Sequence, residues 1–182
     1  MVQKSQILTL EIPAQVSSYK IIIETCCNFI SDFSPLANDF KRVAKFKLVI
    51  MELLTNAMKH CKITSFLELH YTNNELTIRK RDGGSRFTFK DFDTDEHYHF
   101  PLVNFKEPTT IQALLGNNYQ LGVTLKSEHL VEFLEPPEID YLNISEIPEN
   151  FGLMIIKQCS DEFHYYYNPD KEENVFEVLL KF

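Results

Sequence analysis

The sequence predicts a single α/β domain, and three observations carry that expectation. Two long segments repeat apolar residues at three- and four-residue steps, the signature of helices with one buried face. Several short segments alternate in hydrophobicity and are bounded by turn residues, as strands are. A chain of 182 residues with 44% hydrophobic content is long enough for one sizeable core, so residues 1–182 are read as one domain with an insertion at about 85–148.

Ile7-Leu-Thr-Leu-Glu-Ile12 alternates and ends at Pro13, which predicts a strand. A helix follows, with Val16, Tyr19, Ile22, Ile23, Cys26, Phe29 and Ile30 on its apolar steps and a break at Ser31-Asp-Phe-Ser-Pro35. A second helix is expected from about Leu36 to His60. Phe66–Tyr71 and Glu75–Lys80 flank Thr72-Asn-Asn74, which predicts a β-hairpin running into Arg81-Asp-Gly-Gly84. Between Ser85 and Pro148 no single period holds. Within that stretch Thr109–Gly116 reads as a short helix with a glycine stop, and Gln120–Leu125 with His129–Leu134 reads as a hairpin. Glu135-Pro-Pro-Glu138 marks a loop, and a last helix from about Phe151 to Glu162 precedes strands Phe163–Tyr167 and Val175–Phe182.

Composition narrows the classes of function. The 18 basic and 26 acidic residues give a net charge of -8 and a pI near 5.2, which disfavours sequence-independent binding to nucleic acid. No stretch approaches the ~18 apolar residues of a membrane span. Met1-Val-Gln-Lys-Ser-Gln leads into the first strand without a basic head and apolar signal core. Cys26, Cys27, Cys61 and Cys159 have neither metal spacing nor a disulfide framework, so a reducing, cytoplasmic location is expected.

The second helix carries the most informative pattern. At about 100° per residue, Phe46, Ile50, Leu53, Ala57 and Cys61 share one stripe, while Glu52, Asn56, Lys59 and His60 gather roughly 110° away. Mg²⁺ bound to a nucleotide takes one or two protein oxygens and keeps phosphate and water ligands, a role open to the Asn56 amide oxygen. Glu52, one turn earlier, is placed to deprotonate an attacking hydroxyl or water, and Lys59 and His60 to contact phosphate. A solvated polar face is the competing explanation. Asp82, followed by Gly83 and Gly84, offers a carboxylate for an adenine amino group and a backbone that a ring can approach, although Asp-Gly is also a common turn. Gly152 presents backbone N–H groups at a helix start, where anions are favoured; Asn150 as an ordinary N-cap explains the same residues.

Other motifs are weaker. Asp91-Phe-Asp-Thr-Asp95 opens like a calcium loop but has Glu96 at the sixth position and Leu102 at the twelfth. His97 and His99 share a strand side with no third ligand identifiable. Phosphate-loop and nucleophile-elbow signatures are missing from the sequence.

Taken in order, Glu52-Leu-Leu-Thr-Asn-Ala-Met-Lys-His60, Asp82-Gly-Gly84 and Asn150-Phe-Gly-Leu-Met-Ile-Ile156 resemble the helix motif and two glycine boxes of the histidine-kinase-like ATPase superfamily. The ending, Cys159–Tyr167 and Val175–Lys181, is similar to the anti-sigma factor/serine-protein kinase branch. The likeness covers Ile7 to about Phe87 and Glu149 to Phe182. It implies a Bergerat-type two-layer sandwich, a mixed, mainly antiparallel sheet covered on one face by helices, with an enlarged lid region. It further implies ATP and Mg²⁺ as cofactors, a sigma factor and an antagonist protein as partners, and phosphorylation of a serine on the antagonist. Glu52 then acts as base and Asn56 as Mg²⁺ ligand; Asp82 contacts adenine, and Gly84, Asn150 and Gly152 lie along the bound nucleotide. The chain departs from the family at Arg86 and Asn150, both in glycine positions. Those departures, and the enlarged middle, motivate a rival: a non-catalytic module of the same fold that acts through protein–protein binding, with Phe87, Phe89, Phe92, Tyr98 and Phe100 as new core and a homodimer or partner surface in place of the lid.

Overall fold

The structure, a computed structural model, describes residues 5–13, 15–33, 39–60, 63–115, 119–136 and 151–181. It is an α/β protein with three helices and one large antiparallel sheet. Strand β1 (Gln6–Ile12) leads through a 3-10 turn (Val16–Ser18) into α1 (Tyr19–Phe33), and α2 (Phe40–His60) follows. Strands β2 (Ser65–Thr72) and β3 (Glu75–Asp82) form the expected hairpin, and its turn residues Asn73 and Asn74 have φ of 51° and 63°. Two successive left-handed residues give a turn whose twist matches its strands, and Asn tolerates that conformation.

The middle of the chain is strand-rich: β4 (Thr88–Asp91), β5 (His97–His99), β6 (Thr109–Leu115), β7 (Tyr119–Leu125) and β8 (Leu130–Phe133). Thr109–Leu115 is therefore a strand paired with β7 and not the expected helix. Its apolar residues Ile111, Leu114 and Leu115 mimic a helical step, but the β-branched run Thr109-Thr-Ile111 favours extended backbone. The β7–β8 hairpin lies where the sequence placed it. Helix α3 (Gly152–Gln158) is shorter than expected, because Glu162 already belongs to β9 (Glu162–Asn168), which pairs with β10 (Glu173–Lys181).

The ten strands run in the order β1-β2-β3-β10-β9-β8-β7-β6-β4-β5. Every pairing among the described residues is antiparallel, so the sheet is not mixed. Pairing of β8 with β9 makes the middle of the chain a continuation of the sheet.

Alternation sets which side chains reach the core. The register aligns Leu67, Lys80, Phe176, Tyr165 and Val131 across five neighbouring strands, and Leu69, Ile78, Val178 and Phe163 across four. Most of these join one buried cluster with Ile22, Cys26 and Ile30 of α1 and Phe46, Val49, Ile50, Leu53 and Leu54 of α2. The opposite positions carry ion pairs: Arg79 with Glu68 and Glu177, and Arg81 with Glu173. Of the aromatic residues expected as new core, Phe89 and Phe100 are buried and Phe87 and Tyr98 pack against them, whereas Phe92 is exposed. Among the described residues, no helix is long and apolar enough to cross a membrane.

Candidate functional site

A cleft of about 740 Å³ opens between the C-terminal half of α2, the ends of β3 and β10, the start of β4 and the start of α3. Glu52, Asn56, Lys59 and His60 all line it, as the helical period required. Asp82 and Gly152 line it as well, so residues from three separate segments meet at one place. Gly84 instead donates its N–H to Asp82 Oδ1 at 2.8 Å, holding the loop beside the cleft. Asn150 lies outside the described residues, as does Cys61.

Helix α3 packs beside α2, with Gly152 set against Glu52 and Asn56. A β-carbon there would stand 2.6 Å from Glu52 Oε2 and 3.6 Å from Asn56 Oδ1. Partial burial raises the pKa of Glu52 against the opposing charge of Lys59, so the carboxyl is a better proton acceptor than an exposed glutamate. His60 is shifted the other way, by desolvation first and then by the charges of Lys80 and Lys59, with Asp82 opposing. The neutral imidazole is favoured, and the cations around it create a positive potential suited to an anion.

Asp82 stands in a buried network. Its carboxylate pairs with Lys80, two residues earlier on the same face of β3, and accepts a hydrogen bond from Asn174 Nδ2 at 3.2 Å. Asn174 also donates to the carbonyls of Gly84 and Ser85 at 3.1 and 3.3 Å, and its Oδ1 accepts from Tyr165 at 2.7 Å. Burial pushes the Tyr165 hydroxyl up to about 12, so it remains a donor at neutral pH. Phe87, Tyr165 and Phe176 form an aromatic wall with centroid separations of 5.0, 5.5 and 5.1 Å. Arg86 lays its guanidinium 3.7 Å over the Tyr167 ring and donates to the Tyr167 hydroxyl.

The sequence reading did not single out Lys80, Asn174, Tyr165 or Phe176. Lys80 was legible, since period-two alternation through Ile78 and Asp82 sends its side chain to the core face of β3. Asn174 and Phe176 become visible only through the pairing of β10 with β3.

Elsewhere the structure holds little chemistry. Asp91 accepts from the Asp93 N–H at 3.1 Å and the Thr94 hydroxyl at 2.7 Å, closing a turn on itself instead of presenting a calcium cage. His97 and His99 are exposed with ring centroids 6.4 Å apart. Among the described residues no group of three or more His, Cys, Asp or Glu is arranged to hold a metal. Cys26, Cys27 and Cys159 are free thiols, and burial raises all three above the usual thiol range. No protein-family model matches the sequence, and no curated protein matches it.

Proposed function

We propose that the cleft binds ATP with Mg²⁺ and that the protein is a cytoplasmic anti-sigma regulatory factor with serine/threonine-protein kinase activity toward an antagonist protein, built on a Bergerat-type sandwich. The observation that carries this reading is the meeting of Glu52, Asn56, Lys59, His60, Asp82 and Gly152 around one cleft. Its volume suits a nucleotide-sized ligand. Lys59, Lys80 and Arg86 outnumber Glu52 and Asp82 on its walls, which favours a polyphosphate, and the aromatic wall offers apolar surface to a purine.

Asn56 supplies the amide oxygen for Mg²⁺, which when bound neutralises charge on the phosphates. Glu52 takes the proton from the attacking hydroxyl as that oxygen bonds to the terminal phosphorus and ADP leaves. Lys59 and His60 stabilise charge on the phosphoryl oxygens. The expected partners, a sigma factor, the antagonist and a second copy in a homodimer, rest on the family resemblance.

Isothermal calorimetry with Mg²⁺-ATP on the wild type and Asn56→Ala tests binding; absence of heat in both, at concentrations that detect millimolar affinity, overturns it. Glu52→Ala is expected to abolish transfer to the antagonist and spare most affinity. Unchanged transfer removes Glu52 as base.

One observation favours the non-catalytic alternative. Asp82 is tied to Lys80, Gly84 and Asn174, and Arg86 is committed to Tyr167, so the adenine end of the cleft is held by internal partners. Weak or absent Mg²⁺-ATP binding together with no transfer decides for that alternative.

A further inference from the structure

The outer face of α2 bears an apolar stripe that none of the described elements covers. Phe40, Leu48, Met51 and Met58 are 90%, 38%, 41% and 43% exposed. On a helical wheel they fall within about 80° of one another, with Ala44 and Thr55 between them, on the side away from buried Phe46, Ile50, Leu53 and Ala57. The stripe runs for roughly 27 Å, about five helical turns. Glu52 and Asn56 face the cleft from the neighbouring side of the same helix, and Thr55 stands at the border between cleft and stripe.

Charge distinguishes this stripe from the scattered apolar residues of an ordinary surface. Residues 40–51 contain Lys41, Arg42, Lys45 and Lys47 and no carboxylate, in a chain of net charge -8. Arg42 is occupied by Asp39 at 3.4 Å, and Lys45 reaches the Gln158 carbonyl at 3.4 Å. Lys41 and Lys47 form no ion pair among the described residues, and they flank the stripe on opposite sides, at about 100° and -20° from Phe40.

We propose that this face docks an acidic amphipathic helix of a partner protein. Such a helix sets its apolar residues against Phe40, Leu48, Met51 and Met58 and its carboxylates against Lys41 and Lys47. The length of the stripe matches a helix packed along α2, and the anchors, spaced by eight, three and seven residues, keep to one side as helix-to-helix recognition requires.

The test uses the full chain and a fluorescein-labelled 18-residue helical peptide with leucine on one face and glutamate flanking it. Anisotropy is expected to show saturable binding, weakened at least tenfold by Met51→Asp and by Lys41→Glu with Lys47→Glu, and no binding of the same peptide with lysine for glutamate. These positions are exposed and outside the cleft, so thermal unfolding and ATP binding should be unchanged in both variants. That keeps a failure here separate from a failure of the nucleotide reading. Failure of the acidic peptide to saturate, or equal affinity in the variants, overturns the proposal. So does a dimer in sedimentation that Met51→Asp dissociates, which assigns the stripe to a second copy. Flotation with phosphatidylserine vesicles that Met51→Asp abolishes, with no peptide binding, assigns it to lipid.

Discussion

Glu52 and Gly152 fit against each other with no room for another atom: a β-carbon on Gly152 would stand 2.6 Å from Glu52 Oε2. The φ of Gly152 lies outside the left-handed region, so the glycine serves the approach of a carboxylate and not an unusual backbone. Gly152→Ala gains about 0.5–1 kcal/mol of helix preference and loses a similar amount by displacing the flexible end of Glu52. The expected outcome is a urea midpoint close to wild type and, on the proposed kinase reading, phosphoryl transfer reduced at least tenfold. A large loss of stability would mean that α3 itself had moved.

The Glu52 carboxyl is held above its ordinary value of 4.5 by burial, so the folded chain binds this proton more tightly than the unfolded one. Its contribution to stability therefore falls as pH rises from about 4.5 through the raised value. Glu52→Gln should remove that slope, and the variant should gain on the wild type from acidic toward neutral pH in denaturant titrations. Lys59→Met, which deletes the opposing charge, should steepen it.

Lys80 and Asp82 are both buried, and the Lys80 ammonium also lies 5.3 Å from the centroid of Phe176. Asp82→Ala removes the carboxylate of this buried pair and should cost about 3–5 kcal/mol in chemical unfolding. Adding Lys80→Met should recover most of the loss, because the buried charge goes with it. If the double variant is no more stable than the single one, the Lys80 charge is not the source of the cost.

The left-handed backbone at Asn73 makes a local test of the β2–β3 turn. Asn73→Gly should be tolerated, whereas Asn73→Val should cost about 1–2 kcal/mol through strain at the β-branched residue. Equal melting temperatures for the two variants would contradict a left-handed turn.

Local signals made the first half of the chain legible. Alternation ending at Pro13, the apolar step from Val16 to Ile30 and the Asn73-Asn74 turn each act within a few residues, and the structure places β1, α1 and the hairpin accordingly. The polar face of α2 was legible for the same reason, since i, i+4 spacing alone brings Glu52, Asn56 and His60 together. The strand at Thr109–Leu115 was not, because a seven-residue run satisfies a helical step and an extended one equally, and only its pairing with β7 decides. Nor was the Tyr165–Asn174–Asp82–Lys80 network, whose members meet through long-range strand register. The direct pairing of β8 with β9 was equally hidden, because it joins strands that stand far apart in the sequence, Leu130–Phe133 and Glu162–Asn168.

The central place of β9 and β10 bears on how the chain acquires its shape during synthesis. Strands β1 to β3 on one side and β4 to β8 on the other each present an open edge until residues 162–181 leave the ribosome and bridge them. Closure therefore waits for β9 and β10, and the two earlier groups must stay apart from other nascent chains in the interval.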